Sequence, residues 1–447
     1  MDLTRIVICV AVFCVTTFLF WKAAGNLKIK NLNMISMLYY YMMVFNFAGG
    51  SLIYIGLRKH YLMAKITQES NIDLTYYYIV YCFIMFPLTL WGMKMLMEKH
   101  VVRRDPLAFI REKTVFNPNM VPAQTLAIVM LGICTLATLY VFRHLGYIPV
   151  LEVLKGSNLS ALRQAGSRYF QGNQYIKNLL MITLTPFVSY YIYVYFRYTK
   201  NKVWGLLFLY SAFLSAVVLT YDFSKSPIIY YLLGIYLLEC CMGFVKNIKK
   251  FTLLVGASVV ILVFVYAFVF GVKRDILSIY TGPVGRILFT QIGTLFLHVE
   301  GFPMRHDFLD GASFNSWMSF LIPEASGLRS GRVIMEIYNA SAVQEGTAGV
   351  MNTLFIGEAY ANFGTIGVII APIIFGVVIG FTAYFLPALR KSPVVVLLYV
   401  KLTLQFLSIV EAGFVDILYS ASTIFLILLA IMMYIFAEQD YPLKRNR

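Results

Sequence analysis

Long apolar runs, interrupted at short intervals by small clusters of lysine and arginine, set the pattern of this chain. An apolar stretch of roughly 17 to 25 residues is long enough to cross a bilayer as a helix. Eleven such runs are predicted, at about 3–21, 33–57, 74–97, 121–142, 176–196, 203–221, 227–245, 251–272, 353–386, 394–410 and 414–437. The run at 353–386 is longer than one crossing requires, so its first part is expected to be a tilted or broken lead-in. Between the runs the loops alternate in character. One set is short and basic: Lys22, Lys28 and Lys30; Lys99, Arg103, Arg104, Arg111 and Lys113; Arg197, Lys200 and Lys202; Lys246, Lys249 and Lys250; Arg390 and Lys391; and the tail Lys444, Arg445 and Arg447. Short loops rich in Lys and Arg stay in the cytoplasm. Every second loop fits, which predicts an all-α polytopic membrane protein of eleven spans with its N-terminus outside.

The opposite set of loops has different content: 58–73, a basic loop at 143–175, a hairpin at 222–226 and a long segment at 273–352. The long segment keeps Phe, Ile, Leu and Met throughout, which predicts a packed loop with short helices rather than disorder. Long ordered loops are more often working elements than linkers. The whole, 1–447, reads as a single integral membrane domain.

Composition sharpens this picture. Hydrophobic residues make up 60% of the chain and charged ones only 13%, against about a quarter charged in soluble domains. The net charge of +16 is scattered among loops, which fits anionic lipid head groups or a phosphate-bearing lipid and not a nucleic acid. Six cysteines show no CxxC spacing, so neither a zinc site nor a disulfide framework is indicated. The first run lacks a basic leader and a small-residue cleavage site, and reads as a retained span.

Ionisable groups held in or near a membrane are costly and therefore candidates for function. The hairpin "DFSKSP" needs only polar turn formers; Pro227 suits a first helical turn and Ser224 or Ser226 a cap. Lys225 is not required by the turn. It either presents its ammonium to a phosphate or is neutralised by Asp222. In "NLSALRQAGSRYF", Arg163 and Arg168 lie about 140° apart around a helix; they either snorkel to head groups or line a basic pocket. Arg274, ten residues before Gly285, and Arg286 stand where the long outer segment begins. In "GEAYANFGTIGVIIAPIIFGVVIG", Gly364, Gly376 and Gly380 suit close helix packing. Glu358 does not fit that account: its burial calls for a cation beside it or a role as a base. His298 and His306 are the histidines of the long segment; each is either incidental or a base. The first outer loop has only the carboxylates Glu69 and Asp73, with no DxD or adjacent acidic pair of the kind that holds a metal, and the sequence has no GxSxG elbow.

The two short motifs "FSKSPIIYYLLG" and "GEAYANFGTIGVI", with many spans and a long outer loop, resemble the bacterial oligosaccharide repeat-unit polymerases, the Wzy-type O-antigen polymerases. Ser224-Lys225-Ser226-Pro227 is similar to that family's hairpin, and Gly357 to Gly367 to its Gly-Glu-x-Tyr-x-Asn-Phe-Gly-x-x-Gly stretch. Arg274–Gly285 matches an Arg-x10-Gly pattern seen twice in some members; the earlier loop departs from it, with Lys155–Gly166. The resemblance covers most of the chain as architecture but only these motifs as sequence. It implies a membrane glycosyltransferase (GT-C-like) fold, located in the bacterial cytoplasmic membrane with its site facing out. The substrates it implies are a polyprenyl-diphosphate-linked glycan donor and a lipid-linked acceptor, with no cofactor and no metal. Whether a chain-length regulator takes part is left open. Arg163, Arg168, Lys225, Arg274 and Arg286 would surround the diphosphate, and Glu358, ahead of His298, would take the acceptor's proton. An O-antigen ligase would share this chemistry. A flippase or transporter of lipid-linked glycans is the alternative of another class, though no inverted repeat is visible.

Overall fold

The computed structural model describes residues 3–100, 106–148, 151–152, 155, 170–222, 226–243, 252–253, 256–257, 260, 278–280, 282–345 and 348–438. Among them every regular element is helical, and eight helices are long and apolar enough to cross a membrane. They are Leu3–Ala24, Met34–Ile55, Glu69–His100, Val121–Leu145, Ile176–Thr199, Lys202–Leu219, Ile356–Ala388 and Val415–Ala437. Two shorter apolar helices, Ser226–Met242 and Pro393–Ile409, fall on two further predicted runs, and the run 251–272 lies largely outside the described residues. The protein is thus an α-helical polytopic membrane protein.

The chain divides into two compact units. The first holds residues 1–107, 267–388 and 405–419; the second holds 108–266, 389–404 and 420–447.

In the first unit, Glu69–His100 packs along both Leu3–Ala24 and Ile356–Ala388. Small residues permit the second contact: a Cβ on Gly376 would stand 2.6 Å from the Cβ of Thr89, and one on Gly380 would stand 2.8 Å from that of Met93. The outer face of Leu3–Ala24 carries exposed Leu3, Val7, Val10, Phe18 and Trp21. An apolar stripe at helical spacing left open in this way is what a lipid-facing helix presents. Two π-helical turns, Met43–Phe47 and Arg286–Thr290, lie against each other in this unit. Here Gly49 lets the backbones touch, since a Cβ would fall 1.6 Å from the Leu288 carbonyl oxygen.

The over-long Ile356–Ala388 helix is two helices joined at Gly364, whose φ of 59° and ψ of −145° belong to a region open essentially to glycine alone. Gly364 therefore breaks the helix and does not serve helix packing as the sequence suggested. Before the break, Ile356 to Asn362 are all buried. Beyond it, Ile366, Ile370, Ile373, Val377 and Phe381 are exposed, at the spacing of one lipid-facing stripe.

In the second unit, Ile176–Thr199 and Lys202–Leu219 form an antiparallel pair. Arg197 grips Glu239 of Ser226–Met242 through two bonds of 2.5 and 3.0 Å, so the buried carboxylate is matched by a guanidinium fork. Lys391, buried, donates to the carbonyls of Glu112 at 2.7 Å, Cys241 at 2.6 Å and Ile110 at 3.3 Å. Its ammonium thus satisfies carbonyls near the ends of two helices that have no intrahelical partner.

Candidate functional site

The "GEAYANFG" motif forms the buried lead-in helix, and each polar member has a defined task. Glu358 and Asn362 are four residues apart and share one helical face. Asn362 donates to the Glu358 carbonyl at 2.8 Å and to the Ser313 hydroxyl at 2.9 Å, and its Oδ1 accepts from the Gly311 amide at 3.1 Å. Ser313 in turn donates to the Leu328 carbonyl at 3.1 Å. Asn362 therefore fixes the backbone on which Arg329 stands. Tyr360 donates to the Phe302 carbonyl at 3.2 Å, tying the same helix to the end of Gln291–Gly301.

Glu358 is 3% exposed. Its Oε1 lies 3.4 Å from Nε of Arg329, and its Oε2 accepts from the Val415 amide at 3.0 Å. The Phe414 amide is a further donor to this carboxylate. The Arg329 guanidinium also binds Asp416 Oδ2, so one cation stands between two carboxylates. The three differ in access: the side chains of Arg329 and Asp416 are 32% and 29% exposed, and that of Glu358 4%. Asp416 Oδ1 has no hydrogen-bond partner among the described residues. Beside it, Tyr419 meets exposed Trp317 edge to face at 5.0 Å.

His298 lies in the interior of the same unit, against this group. Its Nδ1 is 2.7 Å from the Thr294 carbonyl and its Nε2 is 3.2 Å from the Ser330 hydroxyl, the residue after Arg329. A carbonyl can only accept, so Nδ1 carries the proton and Nε2 accepts from Ser330. Burial pushes the His298 pKa down to about 4, which keeps the ring neutral. Adjoining the cluster is an open cavity of about 500 Å³, which shares Asn362 and Phe414 and is otherwise walled mainly by Phe308, Phe363, Ile366 and Ile370.

The structure thus brings Glu358 and His298 to one place, joined through Arg329–Ser330. Arg286 is exposed at the start of the π-turn Arg286–Thr290 and enters none of the contacts described for this cluster. Arg163, Arg168, Lys225 and Arg274 lie outside the described residues. Near the hairpin, the Asp222 charge acts on buried Lys177, a cation that the sequence reading did not place beside it. Three residues of the cluster escaped the sequence reading. Arg329 is one of five arginines in the long outer segment 273–352, and Glu358's need for a compensating charge signalled that a cation would stand beside it but not which one. Asp416 lies inside the predicted run 414–437, where a charge is costly, a signal that the sequence reading did not use; Gly413, just before that run, gave none. In comparisons with known proteins, no family model, no curated protein and no solved structure matches the chain.

Proposed function

We propose that this protein is a glycosyltransferase of eleven spans and GT-C-like fold that polymerises polyprenyl-diphosphate-linked oligosaccharide repeat units at the outer face of the bacterial cytoplasmic membrane. The observation that carries this reading is the use made of the "GEAYANFG" motif. Its glutamate and asparagine organise a guanidinium and a second, accessible carboxylate at the entry to a membrane helix. An acceptor hydroxyl attacks the donor's anomeric carbon, and polyprenyl diphosphate leaves. Fixed cations aimed at the leaving diphosphate lower the barrier, because charge grows there in the transition state. Arg163, Arg168, Lys225, Arg274 and Arg286 are the cations proposed for that task.

The test is to supply purified protein in liposomes with lipid-linked repeat units and resolve glycan length on a gel. The wild type should give a ladder, and Lys225→Ala and Arg274→Ala should leave single repeat units at normal protein levels. A full ladder from both variants would overturn the assignment of these cations. Glycan carried across the bilayer without lengthening would replace the polymerase by a transporter.

A further inference from the structure

We infer that Asp416 is the group that takes the proton from the acceptor's hydroxyl, and that Glu358 positions it through Arg329. The inference rests on the glycosyltransferase reading above and assigns the base within it.

Both oxygens of Glu358 are engaged, one by Arg329 and one by the Val415 amide. Gly413 closes over them, since even a Cβ there would lie 2.3 Å from Oε2. A general base must come within hydrogen-bond reach of the proton it removes, directly or through one water. Glu358 offers no free oxygen to a sugar. His298 is 1% exposed and spends Nε2 on Ser330. Asp416 is different. Its Oδ2 is held by Arg329, its Oδ1 takes no hydrogen bond among the described residues, and its side chain is 29% exposed, so the carboxylate is oriented with one oxygen still able to accept.

A second, independent observation marks the place as one for a sugar. Tyr419, three residues on from Asp416, and Trp317, 53% exposed, meet at 5.0 Å. The exposed Trp317 ring, held by Tyr419, provides stacking area against the segment that carries the carboxylate acceptor, the pair of features a sugar ring uses. Among the described residues, the charged groups facing Asp416 are Arg329, from the segment leading into Ser330–Tyr338, and Glu358, from the lead-in helix.

The step balances as follows. The acceptor oxygen forms a bond to the donor's anomeric carbon. The bond from that carbon to the diphosphate oxygen breaks, and its electron pair leaves on the polyprenyl diphosphate. The acceptor's hydroxyl proton passes to Asp416 Oδ1.

The experiment uses the full chain in liposomes with lipid-linked repeat units, following transfer against pH, donor binding and thermal unfolding. Asp416→Asn keeps the shape and removes the base. It is expected to lower kcat by about 10²- to 10⁴-fold, to abolish the acidic limb of the pH–rate profile and to leave donor binding and the unfolding temperature near wild type. Trp317→Ala is expected to raise KM for the acceptor more than it lowers kcat. Asp416→Asn with wild-type rate and pH profile, or with donor binding lost as fully as transfer, would overturn the inference. If the Asn variant does not fold, Asp416→Glu decides: a folded Glu variant must transfer with a pH-dependent acidic limb, and a folded but inactive one overturns the assignment. Should the wild type form no polymer at all, the glycosyltransferase reading itself fails, an outcome distinct from the loss of Asp416 alone.

Discussion

Gly413 lays its backbone so close to the Glu358 carboxylate that a Cβ on it would stand 2.3 Å from Oε2 and 2.8 Å from Cδ. Two segments 55 positions apart in sequence thus meet through the Glu358 side chain alone, with no room for one on Gly413. The approach lets the Val415 amide reach the carboxylate. Gly413→Ala should therefore displace Glu358 and destabilise the protein by about 1–3 kcal/mol, the usual cost of forcing extra volume into a packed site. Thermal unfolding in detergent measures this. In a Glu358→Ala background the same substitution should cost little, and an undiminished cost there would refute the contact as its cause.

Arg329 holds two carboxylates, and the consequence is asymmetric. Its removal leaves Glu358 buried with main-chain amides but no cation. Arg329→Ala is expected to cost about 3 kcal/mol, the lower end of the range for breaking a buried pair, because the guanidinium itself is partly exposed. Glu358→Gln removes the charge that Arg329 compensates, so Arg329→Ala with Glu358→Gln should lose less than the sum of the two. A coupling of about 0.5–3 kcal/mol from the denaturation midpoints would meet this expectation. Strict additivity would contradict it.

The spans were legible because a bilayer forces apolar runs of fixed length, and ten of the eleven predicted runs fall on described helices. The break at 353–386 was foreseeable from excess length, but its position at Gly364 depends on a backbone conformation that sequence does not print. Glu358 stood out as a charge within an uncharged stretch. Its partner did not: Arg329 meets Asp416 across 87 positions and the Val415 amide meets Glu358 across 57. Nothing in the spacing of charges selects one outer arginine for that meeting. His298 read as a loop histidine because it falls in the long outer segment, yet its neighbours Leu295, Phe296, Leu297 and Val299 are apolar and Ile292 to Gly301 are all buried.

His298 gives the protein an acid-side dependence. The unfolded chain takes up a proton at about pH 6.5, whereas burial holds the folded ring unprotonated down to about 4. Its contribution is full above pH 6.5 and is lost as pH falls towards 4, in total about 3 kcal/mol. His298→Gln should flatten that part of the stability curve. Unfolding midpoints recorded from pH 4 to 8 would show it, and an unchanged slope in the variant would contradict the role given to the ring.

Glu411 acts with the opposite sign. It is buried in the loop between Pro393–Ile409 and Val415–Leu418, and the Asn46 amide donates to its Oε1 at 3.0 Å. Tyr41 and Gln291 are further donors. Its described partners include no cation, and burial pushes its pKa up to about 7, above the usual carboxylate value. The folded state thus holds a proton that the unfolded chain releases near pH 4.3. This contribution is present in full at low pH and is lost as pH rises through 7, again by about 3 kcal/mol. Glu411→Gln supplies a neutral side chain of the same shape, so it should raise the unfolding temperature above pH 7 and change it little at pH 4. Between about pH 4.5 and 6.5 the two residues offset each other in the wild type. Relative to the wild type, stability there should fall more steeply towards acid in Glu411→Gln and more steeply towards neutral pH in His298→Gln. If both variants instead trace the wild-type curve, neither group is held in the protonation state that its burial imposes.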